Sequence, residues 1–102
     1  MIKASIFYPG GEGKTFDFDY YMNKHAALVN SIPGNLIKGF QAEKGLAGME
    51  PGSPPAYVAM AHLLFDNPDY LQKFMAMSGK LMEDIPNFTN TEPVIQISEV
   101  LV

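Results

Sequence analysis

The chain has 102 residues, 47% of them hydrophobic and 18% charged, which reads as one globular domain spanning 1–102 around a single core. Its 7 basic and 11 acidic residues leave a net charge of −4, which argues against nucleic acid or an anionic membrane as partner, since both are met by clustered Lys and Arg. The absence of cysteine excludes a disulfide scaffold, a thiolate nucleophile and cysteine-ligated zinc or iron–sulfur centres.

No stretch reads as a signal peptide or approaches the ~20 apolar residues of a membrane span, so a soluble cytoplasmic protein is expected. Residues Ile2, Ala4, Ile6 and Tyr8 alternate with Lys3, Ser5 and Phe7, the period of a strand. A Gly-rich turn follows at residues 9–14. Over residues 17–32 the period changes: Phe18, Tyr21, Met22, His25, Leu28, Val29 and Ile32 share one helical face, with Asp17 as N-cap and Pro33-Gly34 as the stop. Residues 36–46 read as an edge or bulged strand interrupted by glycine.

Residues 57–65 (YVAMAHLLF) are the most apolar run and predict a third strand. Asn67-Pro68-Asp69 then starts a helix, with a capping Asn, Pro at the first helical position and an acid in the first turn. It is predicted to run to about Glu83, burying Tyr70, Leu71, Phe74, Met75, Ser78, Leu81 and Met82. Residues 84–93 are irregular, and Pro93 to Val102 form a last β-branched strand.

The order βαββαβ predicts a ferredoxin-like α+β fold, a four-stranded antiparallel sheet with both helices on one face. Its other face then needs a cover. The third strand is apolar on both sides, Tyr57, Ala59, Ala61, Leu63 and Phe65 against Val58, Met60, His62 and Leu64. The last strand shows the same pattern, with Ile95, Ile97 and Leu101 opposing Val94, Val100 and Val102. A homodimer packed sheet to sheet, burying on the order of 2,000 Å² or more, is the expected answer.

Among candidate functional residues, Gly13-Lys14-Thr15 imitates the end of a phosphate-binding loop, but the pattern needs Gly where Tyr8 stands. Asn87-Phe88-Thr89 matches a glycosylation sequon by chance, with no export signal beside it. His25 stands out: it sits mid-stripe on the first helix, and a buried imidazole must find partners or lose roughly 1–3 kcal/mol per unmade bond. Tyr21, one turn earlier, is the expected partner that fixes its tautomer. Ser78 on the second helix points into the same layer, so a small pocket is expected there, lined also by Met22, Met60 and Phe74. His62 points either to the helix layer or to the dimer face. A metal site is not expected, because two histidines on different elements would need mostly carboxylate co-ligands.

The chain resembles the EthD family, named for ethyl tert-butyl ether degradation, along nearly its whole length. The matching segments are Asp19-Tyr20-Tyr21 with Lys24-His25, then His62-Leu63-Leu64-Phe65-Asp66, Asp84-Ile85-Pro86-Asn87, and Glu92-Pro93-Val94-Ile95-Gln96-Ile97-Ser98. The resemblance implies a dimeric α+β barrel of two ferredoxin-like sheets. It also implies a loosely defined oxidoreductase role, or an accessory one, in degrading small organic compounds. Similar small barrels include cofactor-free monooxygenases of polycyclic phenols, muconolactone-type isomerases and haem-degrading monooxygenases. The haem-degrading pattern uses a Trp that this chain lacks. The isomerase likeness places an acid–base His on the first helix, as His25 is, though the Cys sometimes found with it is missing.

The expectation is therefore an EthD-like homodimer without cofactor. His25 and Tyr21 would do the chemistry, and Met22, Met60, His62, Phe74 and Ser78 would hold a small apolar or aromatic ligand. An imidazole titrates near neutral pH, which suits proton transfer. A non-catalytic carrier of a hydrophobic intermediate remains the alternative.

Overall fold

The computed structural model describes all residues from Met1 to Val102. Strand β1 (Ile2–Pro9) leads into a helical arm built from α1 (Phe18–Tyr20), a π turn (Tyr21–His25) and α2 (Ala26–Asn30). Strands β2 (Gly39–Lys44) and β3 (Tyr57–Phe65) follow, then a second arm of α3 (Pro68–Ala76), α4 (Gly79–Asp84) and a 3-10 turn (Ile85–Asn87), and finally β4 (Val94–Glu99). All neighbouring strands are antiparallel, in the order β2-β3-β1-β4. This is the ferredoxin-like α+β arrangement. No helix is long and apolar enough to cross a membrane.

Both arms lie on the same side of the sheet. The main core joins Ala4, Leu63 and Phe65 from the strands to Val29 of the first arm and Leu71, Phe74 and Leu81 of the second. The strand pleat makes this possible: on β3, Ala59, Ala61, Leu63 and Phe65 are buried under the arms, while the alternate residues face away. Asp17 and Asn67 cap as their positions predict, their carbonyl-type oxygens accepting from the backbone N–H of Tyr20 and Tyr70 at 3.0 Å each.

The first arm buries a narrower stripe than a 3.6-residue wheel implies. Tyr21, His25 and Val29 are buried at a spacing of four, and Met22 is exposed. The π turn accounts for this, because its wider coil, closed by the Ala26 N–H on the Tyr21 carbonyl, keeps residues four apart in line. The second arm is interrupted where an unbroken helix was expected. Met77 and Ser78 leave helical geometry, and the Ser78 hydroxyl donates to the Met75 carbonyl at 2.8 Å. Met75 and Met82, on either side of the kink, are left about half-exposed.

Strand β4 also stops short of the expected Val102. Its last ladder pair joins Glu99 to Ile2; the Val100 N–H still donates to the Met1 carbonyl at 3.0 Å, and with β1 at its end there the ladder does not extend to Leu101 and Val102. The outer sheet face is less apolar than β3 alone suggests. Register aligns Gln41, His62, Ser5 and Gln96 in one row across all four strands, a polar band between Phe7, Met60 and Val94 on one side and Leu64 on the other.

Candidate functional site

The irregular segment after the second arm is pinned to the turn that starts the first. The Asp17 N–H donates to the Phe88 carbonyl at 2.7 Å, the Thr89 hydroxyl to the Thr15 carbonyl at 2.6 Å, and the Thr91 hydroxyl to the Pro9 carbonyl at 2.8 Å. This fastening brings Asp84 and Phe88 against the first arm although they are some sixty residues away in sequence.

The buried carboxylate of Asp84 is the centre of a polar cluster. Its Oδ2 pairs with Nδ1 of His25 at 3.0 Å, and its Oδ1 accepts from the Tyr20 hydroxyl at 2.6 Å and from Nδ2 of Asn87 at 3.0 Å. Burial pushes the Asp84 carboxyl up, but the hydrogen bonds from Tyr20, Asn87 and His25, with the attraction of the ring when it is protonated, outweigh it and hold the group below the ordinary carboxylate range. The hydrogen bond to that carboxylate in turn keeps the Tyr20 hydroxyl protonated, above the usual phenol range. An ionised Asp84 accepts only, so the His25 proton resides on Nδ1.

His25 lies between two rings, Tyr21 at 5.1 Å and Phe88 at 4.7 Å between centroids. Phe16 and Tyr8 extend this aromatic knot. Its members fix the imidazole plane, and pairs of this kind contribute about 0.5–1.5 kcal/mol each beyond area burial. In the neutral ring, with Nδ1 committed to Asp84, Nε2 offers a lone pair, and it makes no hydrogen bond within the protein.

His25 belongs to the wall of a cavity of about 220 Å³ between the arms and the sheet. Of its 18 lining residues 16 are hydrophobic, including Ala4, Ile6 and Leu63 from the sheet and Val29, Phe74 and Leu81 from the arms. The mouth is flanked by Met75 and Met82 on one side and Ile95 and Ile97 on the other, all about half-exposed, because β4 has no helix above it. The lining residues that carry a polar side-chain group are His25, Tyr8, Tyr21 and Ser78. In its neutral form an imidazole at the wall of an apolar chamber can take a proton from a bound molecule and return it.

The EthD domain matches residues 11–92. The crystal structure of an EthD-like protein from Ralstonia eutropha JMP134 superposes with a TM-score of 0.90 at 40% identity, covering 99% of this chain and 92% of that one. The chain belongs to the EthD family. An EthD family protein from Bacillus halodurans C-125 shares the fold at a TM-score of 0.69 and 24% identity, covering 99% of both chains. A protein of unknown function from Bacteroides fragilis NCTC 9343, described as dimeric and ferredoxin-like, aligns at a TM-score of 0.53 and 13% identity over 97% of this chain and 95% of that one. Comparison with curated proteins gives no match.

Within this EthD-family chain, the cavity brings together His25, Tyr21, Phe74 and Ser78 of the residues singled out from sequence. Three others lie elsewhere. Met22 and Met60 line a separate shallow groove beside Lys44 and Phe18. His62 is on the outer sheet face, where Ser5 Oγ meets its Nδ1 at 2.9 Å and Glu43 Oε1 its Nε2 at 3.3 Å, so both its nitrogens are occupied away from the cavity. The expected tautomer partner is also corrected. Tyr21 stacks on His25, and Asp84, supported by Tyr20 and Asn87, makes the hydrogen bond. The one sequence signal for Asp84 is its place in the Asp84-Ile85-Pro86-Asn87 segment of family resemblance; as the last acid of a polar helix end it otherwise reads as solvated.

Proposed function

We propose that this EthD-family protein is a cofactor-free acid–base enzyme acting on a small, mostly apolar oxygenated compound. Nε2 of His25 is the proton-transfer atom, and Asp84 is the group that positions it. The observation that carries this reading is the His25–Asp84 pair, which leaves one basic nitrogen facing an otherwise apolar chamber. Proton removal from an electron-rich phenol is also the first step of oxygenation without a cofactor, in which molecular oxygen then reacts with the anion. An oxidoreductase role would therefore use the same residues.

The test begins with a panel of small phenols and ketones screened for a rise in melting temperature. Compounds that bind are then incubated in deuterated buffer and examined by mass spectrometry for deuterium at carbon, and by an oxygen electrode for oxygen uptake. Either activity should fall at least about a hundredfold in His25→Ala, the scale of general acid–base catalysis. Ligands that stabilise the protein yet emerge unlabelled and unoxidised would overturn the enzyme reading in favour of a carrier.

The same proposal includes a homodimer joined through the outer sheet faces. Phe7, Val58, Met60, Leu64 and Val94 leave apolar surface there, and the Bacteroides fragilis relative is described as dimeric. The polar band through His62 and Ser5 would give such an interface a defined register. Sedimentation at micromolar concentration should show a dimer, and Phe7→Lys should shift it to monomer by placing a charge against its symmetry mate. A monomeric wild-type protein would sink the dimer.

A further inference from the structure

Two phenol groups on the cavity wall are left unused by the acid–base pair. Tyr8 of β1 is 2% exposed and Tyr21 of the π turn 3% exposed, yet neither hydroxyl has a hydrogen-bond partner in the protein. A hydroxyl sealed away unpaired loses roughly 1–3 kcal/mol. No side-chain polar atom in this structure is both sealed and unpaired, so each hydroxyl keeps an opening; Tyr21 also borders the groove beside Phe18 and Met22, but the space that both residues line is the cavity beside His25. Both stay protonated at any working pH: burial pushes the Tyr21 hydroxyl up to about 12, and burial together with the nearby Tyr21 pushes Tyr8 higher. They are permanent donors without an acceptor.

We propose that the Tyr8 and Tyr21 hydroxyls form a paired donor site for a ligand oxygen that becomes negative during the reaction, so that the substrate is a neutral, enolisable carbonyl compound. This rests on the acid–base reading of His25. Nε2 takes a proton from the carbon next to the carbonyl. The C–H electron pair becomes the carbon–carbon double bond of an enolate, and the carbonyl π pair moves onto oxygen, where the two O–H groups stabilise it. The proton then returns from Nε2 to the same carbon or to another along the conjugated system, restoring the carbonyl. The sum is an isomerisation or an exchange, with no oxidant consumed. Neutrality of the rest of the substrate follows from the lining, which contains no Lys or Arg: a carboxylate placed away from the two hydroxyls would find no countercharge, whereas the two donors favour negative charge at the one oxygen they reach.

The probe is para-nitrophenol, whose phenolate resembles an enolate and absorbs visible light. Bound to the wild-type protein it should ionise at lower pH than in free solution. Tyr8→Phe and Tyr21→Phe, which remove only the oxygen, should each weaken phenolate binding at least tenfold and return its ionisation toward the free value. Nitrobenzene, of similar shape but without the ionisable oxygen, should bind all of these proteins alike. If wild type fails to bind the phenolate form, or if the Phe variants bind it unchanged, the donor site is overturned. Loss of nitrobenzene along with the phenol would assign the tyrosines a packing role and overturn it equally. The two readings separate cleanly: unchanged tyrosine variants with an inactive His25→Ala leave the acid–base pair standing alone. Weakened tyrosine variants with a fully active His25→Ala remove the base and keep the donors.

Discussion

Asp84→Asn is expected to be the most damaging isosteric change to function, lowering turnover by about ten-thousand-fold, as the same replacement does to the histidine partner in a serine-protease triad. The reason is the direction of a proton. The Asp84 carboxylate accepts from Nδ1 of His25 at 3.0 Å and leaves Nε2 bare. An amide can turn its N–H toward Nδ1, which moves the ring proton to Nε2 and converts the cavity base into a donor. Asp84→Glu, which retains the charge, should recover part of the rate. A purely structural role would predict instead that both variants fail in proportion to their loss of stability.

The same variant carries a stability signature. Asp84 is 7% exposed, while its neighbours Glu83 and Pro86 are open to solvent, so the carboxylate is covered only shallowly. Loss of its ionic acceptors should cost about 1–2 kcal/mol at pH 7, the low end for a hydrogen-bonded charge. The folded carboxyl ionises below its ordinary value of 3.8. Its contribution is therefore complete above 3.8, and it disappears as pH falls through the folded value. Urea melts of wild type and Asp84→Asn should differ most near neutrality and converge in acid. A gap that persists undiminished below pH 3 would remove the ionised carboxylate from the explanation.

The second large effect belongs to the core. Phe65 at the end of β3 is 0% exposed, and its ring lies 5.2 Å from that of Phe74. Phe65→Ala should cost about 3–5 kcal/mol, through lost transfer energy plus an unfilled hole. For a domain whose total stability is on the order of 5–15 kcal/mol, that is enough to populate the unfolded state. The measurement is the urea midpoint at unchanged slope. A loss under about 1 kcal/mol would mean that the arms close over the gap far better than cores ordinarily do.

The strands and caps were legible because their signals are local. The alternation in β1, the apolar run of β3 and the Asp17 and Asn67 caps each depend on residues a few positions apart, and the observed elements follow them. His25 was legible too, as a polar residue where the stripe demands an apolar one. Asp84 was not, since its burial depends on donors from Tyr20, His25 and Asn87 that only the folded chain assembles. A uniform 3.6-residue period predicts Met22, Met75 and Met82 buried, whereas Met22 is exposed and Met75 and Met82 stand about half-exposed at the cavity's edge. The π turn and the break at Ser78 change the phase of both arms, and neither leaves a clear mark in composition. Likewise β3 read alone suggested an oily outer surface, whereas the row through Gln41 and Gln96 becomes visible only once neighbouring strands are aligned.

The chamber beside His25 also bears on how such a protein diversifies. A molecule that leaves part of its interior hollow forgoes dispersion contacts there, and a well-shaped guest supplies them in place of side chains. The hollow's outline is drawn by side chains from strands and helices alike, whereas the order of the strands is held by hydrogen bonds between neighbouring backbones. Selection can thus re-cut the lock for a new guest while the frame around it stands still.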